Sequence, residues 1–62
     1  MKQVYRGCEI EVYSDSDYLY YSAYSKDGYC ITETYTEGRD TIKDIVRHLK
    51  QDVDEYLNKL NQ

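Results

Sequence analysis

The sequence predicts an α+β fold: a three-stranded antiparallel meander followed by one C-terminal helix packed on one face of the sheet (β-β-β-α). Residues 3–13 alternate between apolar and polar side chains, and residues 18–36 are rich in tyrosine and threonine, as half-buried strands are. From residue 42 onward, apolar residues recur at helical spacing instead. A chain of 62 residues has the size of one small domain, which we place at residues 1–62.

The first strand is predicted over residues 3–13, with apolar side chains on one face and tyrosines and glutamates on the other. The apolar face carries Val4, Cys8, Ile10 and Val12. The opposite face carries Tyr5, Glu9, Glu11 and Tyr13. Arg6 and Gly7 interrupt the alternation, which indicates a bulge or bend within this strand. Short polar residues at 14–17 then predict a turn.

The second and third strands are predicted over residues 18–25 and 29–36. Aromatic residues dominate the second strand and β-branched residues the third, and both kinds favour a pleated surface. Between them, Lys26–Gly28 is predicted to be a three-residue hairpin loop. Gly28 is expected in the left-handed conformation that closes such a loop with a bulge.

The strand register follows from the loop lengths. A four-residue loop at 14–17 places Val12 opposite Leu19, and a three-residue loop at 26–28 places Ala23 opposite Ile31. Both loops turn the same face of the second strand inward. Because a slip of one residue would turn every side chain over, this agreement favours the predicted register.

The helix is predicted from residue 42 onward by one continuous apolar stripe. The stripe consists of Ile42, Ile45, Val46, Leu49, Val53, Tyr56, Leu57 and Leu60. Thr41 is expected to cap the first turn, with Asp44 as an acidic residue beside the positive end of the helix dipole. Gly38 is expected in the preceding loop. The stripe has to be buried, and the inward face of the sheet is the partner available to it.

Charge and composition exclude several classes of protein. The net charge is −4, and the acidic excess lies entirely in the strand half, whereas phosphate-binding surfaces carry the opposite sign. No apolar run has the length of a signal peptide core or a membrane span. Two cysteines are too few for a disulfide framework. We therefore expect a cytoplasmic protein.

The sheet face left uncovered by the helix is the expected binding surface. Nine tyrosines, with no phenylalanine or tryptophan, supply rigid contact area beside small polar residues, which is typical of recognition surfaces. The predicted contact residues are Tyr5, Glu9, Glu11, Tyr13, Tyr18, Tyr20, Tyr24, Thr32 and Thr34. The competing interpretation is that these side chains only stabilise the sheet, since cross-strand pairs contribute about 0.2–1 kcal/mol each.

Candidates for chemistry are few, and we predict no catalytic residue, cofactor or metal site. His48, the single histidine, lies off the apolar stripe between acidic residues, which a solvated helix surface explains. Cys8 and Cys30 are expected on opposite sheet faces, which argues against a disulfide between them. Asp15–Asp17 lacks the glycine and the glutamate that complete a calcium loop.

These observations predict a small non-enzymatic protein-interaction module, acting as a homodimer, as an inhibitor of a larger protein, or as both. Tyr5–Ile10 resembles the opening strand of many small bacterial and phage domains. Small acidic domains are frequent among phage-encoded inhibitors of host defence enzymes, so a counter-defence inhibitor is an expected role. The alternatives are an acidic mimic of nucleic acid and a sheet-based nucleic-acid binder.

Overall fold

The chain forms an antiparallel meander sheet followed by one helix. The computed structural model describes residues 1–37 and 41–60, so the loop predicted at Gly38 lies outside the described residues. The elements are β1 (Lys2–Tyr5), β2 (Cys8–Asp15), β3 (Tyr18–Tyr24), β4 (Cys30–Thr36) and α1 (Ile42–Leu60). Neighbouring strands pair in sequence order, and every pair is antiparallel. The predicted α+β class, meander and C-terminal helix are confirmed, with four strands instead of three.

The additional strand arises because the first predicted strand folds back on itself at Arg6 and Gly7. Their φ angles are 52° and 83°, and two consecutive positive φ values are what a tight two-residue hairpin requires. As a result, Tyr5 pairs with Cys8 and shares the helix-facing side of the sheet. Val4 pairs with Glu9 on the opposite side. The predicted placement of Tyr5 on the uncovered face was therefore wrong, and so was the inward placement of Val4.

The turn between β2 and β3 is shorter than predicted. It consists of Ser16 and Asp17 alone, with Ser16 at a φ of 56°, and β2 continues to Asp15. Val12 consequently lies opposite Tyr21, a shift of two positions from the predicted partner. Since side chains alternate with a period of two, an even shift leaves both predicted faces of these strands unchanged.

The loop between β3 and β4 has the predicted form, but a bulge follows it. Gly28 has a φ of 88°, and the Ser25 amide donates to the Tyr29 carbonyl oxygen at 2.8 Å, which confirms the three-residue hairpin loop. Beyond the loop, Tyr24 pairs with Cys30, whereas Ala23 pairs with Thr32. One residue of β4, Ile31, is therefore inserted between two successive pairs.

This bulge inverts the predicted faces of the rest of β4. Thr32 lies opposite Ala23 and Thr34 lies opposite Tyr21, both on the helix-facing side. The predicted placement of these two threonines on the uncovered face was therefore wrong. Glu33 is brought to the uncovered face in their stead, together with Tyr35, which lies opposite Tyr20. A single inserted residue is sufficient for this change because it shifts the register by one.

The core lies between α1 and the middle of the sheet. Its buried residues are Cys8, Ile10, Val12, Ala23, Ile45, Leu49 and Val53. The Asp44 amide donates to the Thr41 hydroxyl at 3.2 Å, which confirms the predicted helix cap. Ile42 and Leu60, at the two ends of the predicted apolar stripe, are exposed. Burial of the whole stripe was therefore a wrong prediction, and only its central turns are buried.

Polar contacts attach the first hairpin to the helix. The Tyr5 hydroxyl donates to Asp54 at 3.0 Å, and the Arg6 guanidinium donates to the same carboxylate oxygen at 2.7 Å. These hydrogen bonds, with that of Arg6 foremost, lower the pKa of Asp54 below its ordinary value. The Lys50 ammonium lies 5.2 Å from the centre of the Tyr5 ring. Tyr5 is therefore engaged in joining the sheet to the helix.

The fold predicts that Leu49→Ala destabilises the protein severely. Leu49 is fully buried at the centre of the helix–sheet contact, and such truncations cost about 2–5 kcal/mol. Small domains have about 5–15 kcal/mol of stability in total. Urea unfolding followed by circular dichroism measures the loss. Leu60→Ala is the matched control, since Leu60 is 63% exposed and its truncation should leave the unfolding midpoint nearly unchanged. Equal effects of the two substitutions would contradict the observed packing.

Candidate functional site

The sheet face opposite α1, which we call the open face, gathers most of the tyrosines. Pairing places on it Lys2, Val4, Glu9, Glu11, Tyr13, Asp15, Tyr18, Tyr20, Ser22, Tyr24, Cys30, Glu33 and Tyr35. Of the predicted contact residues, those found there are Glu9, Glu11, Tyr13, Tyr18, Tyr20 and Tyr24. The other three, Tyr5, Thr32 and Thr34, lie on the helix-facing side. The tyrosine-rich sheet face predicted from the sequence is therefore present, but the edge strands β1 and β4 contribute residues to it that differ from those predicted.

Four tyrosine rings on three strands form one cluster at the end of the open face near the β2–β3 turn. Tyr13 and Tyr20 stack with ring centres 5.3 Å apart and planes 17° apart. Tyr18 meets the Tyr35 ring edge-on at 5.5 Å, and Tyr20 lies 5.8 Å from Tyr35. Such pairs contribute about 0.5–1.5 kcal/mol beyond the burial of their area. We call these four residues the tyrosine cluster; its rings hold one another in place while remaining partly exposed.

A fifth tyrosine on the open face, Tyr24, is hydrogen-bonded to a carboxylate. The Tyr24 hydroxyl donates a hydrogen bond to Oε2 of Glu33 across the β3–β4 pair. This bond is the main reason that the pKa of Tyr24 is raised to about 12, with desolvation and the negative charge of Glu33 adding to it. Tyr24 is therefore a neutral donor near neutral pH, and it orients the Glu33 carboxylate beside the tyrosine cluster.

A shallow depression of about 500 Å³ lies at the centre of the open face. The open-face side chains around it are Glu11, Tyr13, Tyr20, Ser22, Tyr24, Glu33 and Tyr35. Its volume falls within the range of about 300–1,000 Å³ that is usual for small-ligand sites. The depression thus combines flat aromatic walls with two carboxylates, Glu11 on β2 and Glu33 on β4.

The open face is anionic. Glu9, Glu11, Asp15 and Glu33 lie on it, and within the described strands Lys2 is its only basic residue. The Lys2 ammonium lies 3.2 Å from Glu9 and 3.9 Å from Glu11, so it neutralises the β1 edge more than the centre. The raised pKa of Lys2 has the same cause, with the hydrogen bond to Glu9 foremost. Negative charge therefore remains around the depression.

The other candidates for chemistry lie apart from this surface or form no site. His48 is exposed on α1, and Cys8 is buried in the core. Cys30 is exposed, and both cysteines are free thiols, as expected from their placement. In the part of the chain that the structure describes, no three histidine, cysteine or acidic side chains are grouped to hold a metal ion. Over the same residues, no helix is long and apolar enough to span a membrane.

The sequence contained a signal for Glu33 and Tyr35, the two β4 residues that the predicted register did not place on the open face. That register turned Glu33 inward beneath an apolar helix, and an unpaired buried carboxylate is strongly unfavourable. Placing Glu33 in solvent requires one inserted residue on β4, which also brings Tyr35 to the open face. The Arg6–Gly7 pair was a similar signal, since two-residue turns ending in glycine commonly close hairpins.

Comparisons with protein-family models, with curated proteins and with solved structures find no match to this chain. Conclusions about function therefore rest on the geometry and charge of the open face.

The site geometry predicts an unusual titration of Tyr24. Because Glu33 accepts a hydrogen bond from the neutral hydroxyl, Tyr24 should ionise near pH 12, compared with about 10 for an ordinary tyrosine. The stability gained from this bond is present below pH 10 and is lost as the pH rises through about 12. NMR of the tyrosine ring carbons against pH measures the midpoint.

Glu33→Gln should return the Tyr24 midpoint toward about 10, because an amide oxygen accepts a weaker hydrogen bond than a carboxylate and carries no negative charge to favour the neutral hydroxyl. Glu55→Gln on the exposed side of α1 is the control and should change nothing. An unchanged Tyr24 midpoint in Glu33→Gln would show that the two side chains do not interact in solution.

Proposed function

We propose that this protein is a non-catalytic protein-binding module that contacts its partner through the open face. The tyrosine cluster is the observation that carries the proposal, since it presents several large, mutually packed rings on a surface that no described element of the chain covers. Tyrosine-rich patches with small polar and charged neighbours are typical of recognition surfaces. A preorganised patch also loses little conformational entropy when it binds.

Exposure of the rings favours recognition over sheet stabilisation alone. Tyr13 and Tyr35 are 53% and 58% exposed, although they stack against neighbours. Rings that served only to stiffen the sheet would gain more by lying flat against it, because burial of apolar area is the larger stabilising term. Contiguous exposed aromatic surface is uncommon on monomers and commonly marks an interaction site.

The charge of the open face favours a protein partner different from this chain. Acidic side chains across the face oppose the phosphates of nucleic acids. They also oppose a second copy placed face to face, since like charges in an interface are unfavourable. A larger protein with a basic surface satisfies both constraints. We therefore propose that the domain acts by occupying such a surface, as an inhibitor does.

The proposed protein-binding function predicts that Tyr35→Ser weakens partner binding without unfolding the domain. Tyr35 lies on the solvent side of β4, so the helix-facing core is unaffected. An aromatic residue that acts as an interface hot spot contributes about 2 kcal/mol or more, which corresponds to a loss of affinity of about thirtyfold. Proteins retained from an extract of the source cells by immobilised wild-type and variant protein can be quantified by mass spectrometry.

Tyr29→Ser is the matched control for this experiment. Tyr29 is 56% exposed and also stacks on another tyrosine, Tyr56 of α1, but it lies outside the open face. Its variant should retain the same proteins as the wild type. If both variants retain the same partners and Tyr35→Ser only lowers the melting temperature, the rings stabilise the sheet and the proposal fails.

A further inference from the structure

We propose that the central depression of the open face receives an arginine side chain, presented by a basic segment of the partner protein. This inference deepens the proposed function and rests on it. It assigns a chemical class to the group bound at the depression, which is the guanidinium ion.

The first argument is the placement of the two carboxylates. Glu11 lies on β2 and Glu33 on β4, on either side of the central strand β3, and both line the depression. Tyr24 engages Oε2 of Glu33 and orients that carboxylate. A carboxylate accepts several hydrogen bonds at once, so this contact leaves it able to accept more. A cation entering the depression therefore meets acceptors on two sides, and at Glu11 it competes with the Lys2 ammonium, which lies 3.9 Å away.

The second argument is the aromatic lining. Tyr13 and Tyr20 stack almost parallel, and Tyr35 lies against Tyr20 at a larger angle. Tyrosine ring faces attract cations, and a planar guanidinium also stacks on them with its whole area. An ammonium group lacks this second contact and is more strongly hydrated. Flat rings beside carboxylates therefore favour arginine over lysine, and the volume of about 500 Å³ accommodates a long side chain.

The third argument concerns the source of the arginine. In the described part of this chain, Arg6 donates to Asp54 and Arg47 to Asp44, so each is paired with an acidic side chain of its own molecule. Neither lies on the open face, where Lys2 is the basic residue of the described strands. Within the described residues, a second copy would thus bring carboxylates and no unpaired guanidinium to the depression. Charge complementarity favours a basic segment of a different protein.

The test is an NMR titration of the isotope-labelled full chain with three small probes: N-acetyl-arginine methylamide and its citrulline and lysine analogues. Citrulline has nearly the shape of arginine without its charge. We expect saturable shifts of the Tyr13, Tyr20 and Tyr35 ring signals with the arginine probe. Binding should be about tenfold weaker for citrulline, intermediate for lysine, and weaker for arginine at high ionic strength.

Variants locate the site. Glu11→Gln and Glu33→Gln should each weaken binding of the arginine probe several-fold, because each removes one charged acceptor. Glu55→Gln, an equal change of charge on α1, should leave binding unchanged. Equal affinities for arginine and citrulline, shifts located away from the depression, or no saturation with arginine would each overturn the assignment.

The outcomes separate this inference from the proposed function. If Tyr35→Ser loses its cellular partners while arginine and citrulline bind alike, the open face binds proteins and only the arginine site is refuted. If the arginine probe binds as expected while Tyr35→Ser and Tyr29→Ser retain the same partners, the cation site stands and the protein-binding function is refuted. Sedimentation of the free chain tests self-association. A dimer dissociated by Tyr35→Ser would identify a second copy as the occupant and overturn the inference.

Discussion

One helix covers only one face of the sheet, and the rest of the structure depends on this constraint. Ile45, Leu49 and Val53 of α1 bury Ile10 and Val12 of β2, and each strand side chain lies either on this helix-facing side or on the open face. Because side chains alternate along a strand, a register shift of one residue moves them to the other face of the sheet, whereas a shift of two leaves them on the same face. The Arg6–Gly7 hairpin and the inserted Ile31 therefore determine which side chains of the edge strands β1 and β4 lie on the open face.

Features determined by nearby residues were predictable from the sequence, whereas those determined by pairing across strands were not. The Thr41 cap, the helix and the left-handed Gly28 depend on a few neighbouring residues, and all were predicted correctly. On β2 and β3 the predicted partners were two positions from the observed ones, which left the faces intact. On β4 an insertion of one residue exchanged Thr32 and Thr34 for Glu33 and Tyr35. The β2 and β3 residues predicted on the open face are therefore found there, whereas on the edge strands only Cys30 was placed on it correctly.

The aromatic residues of the open face have two physical roles that support each other. Contacts among the rings of the tyrosine cluster fix their positions, which lowers the entropy lost when a partner binds. The Tyr24–Glu33 hydrogen bond holds a carboxylate beside them in a region of negative potential. On the other side of the sheet, Tyr5 is occupied by its contacts with Asp54 and Lys50. Tyrosines thus attach the first hairpin to the helix on one face and, in our proposal, bind a partner on the other.

The central claim, that the tyrosine cluster is covered by another protein, is tested most directly by hydroxyl-radical footprinting of the tyrosines. The labelled chain is oxidised alone and in an extract of its source cells, and the modification of each tyrosine is quantified by mass spectrometry. The account predicts that Tyr13, Tyr18 and Tyr35 become protected in the extract, whereas Tyr29, of comparable exposure outside the open face, does not. Unchanged reactivity of the cluster, or protection of Tyr29 alone, would contradict it.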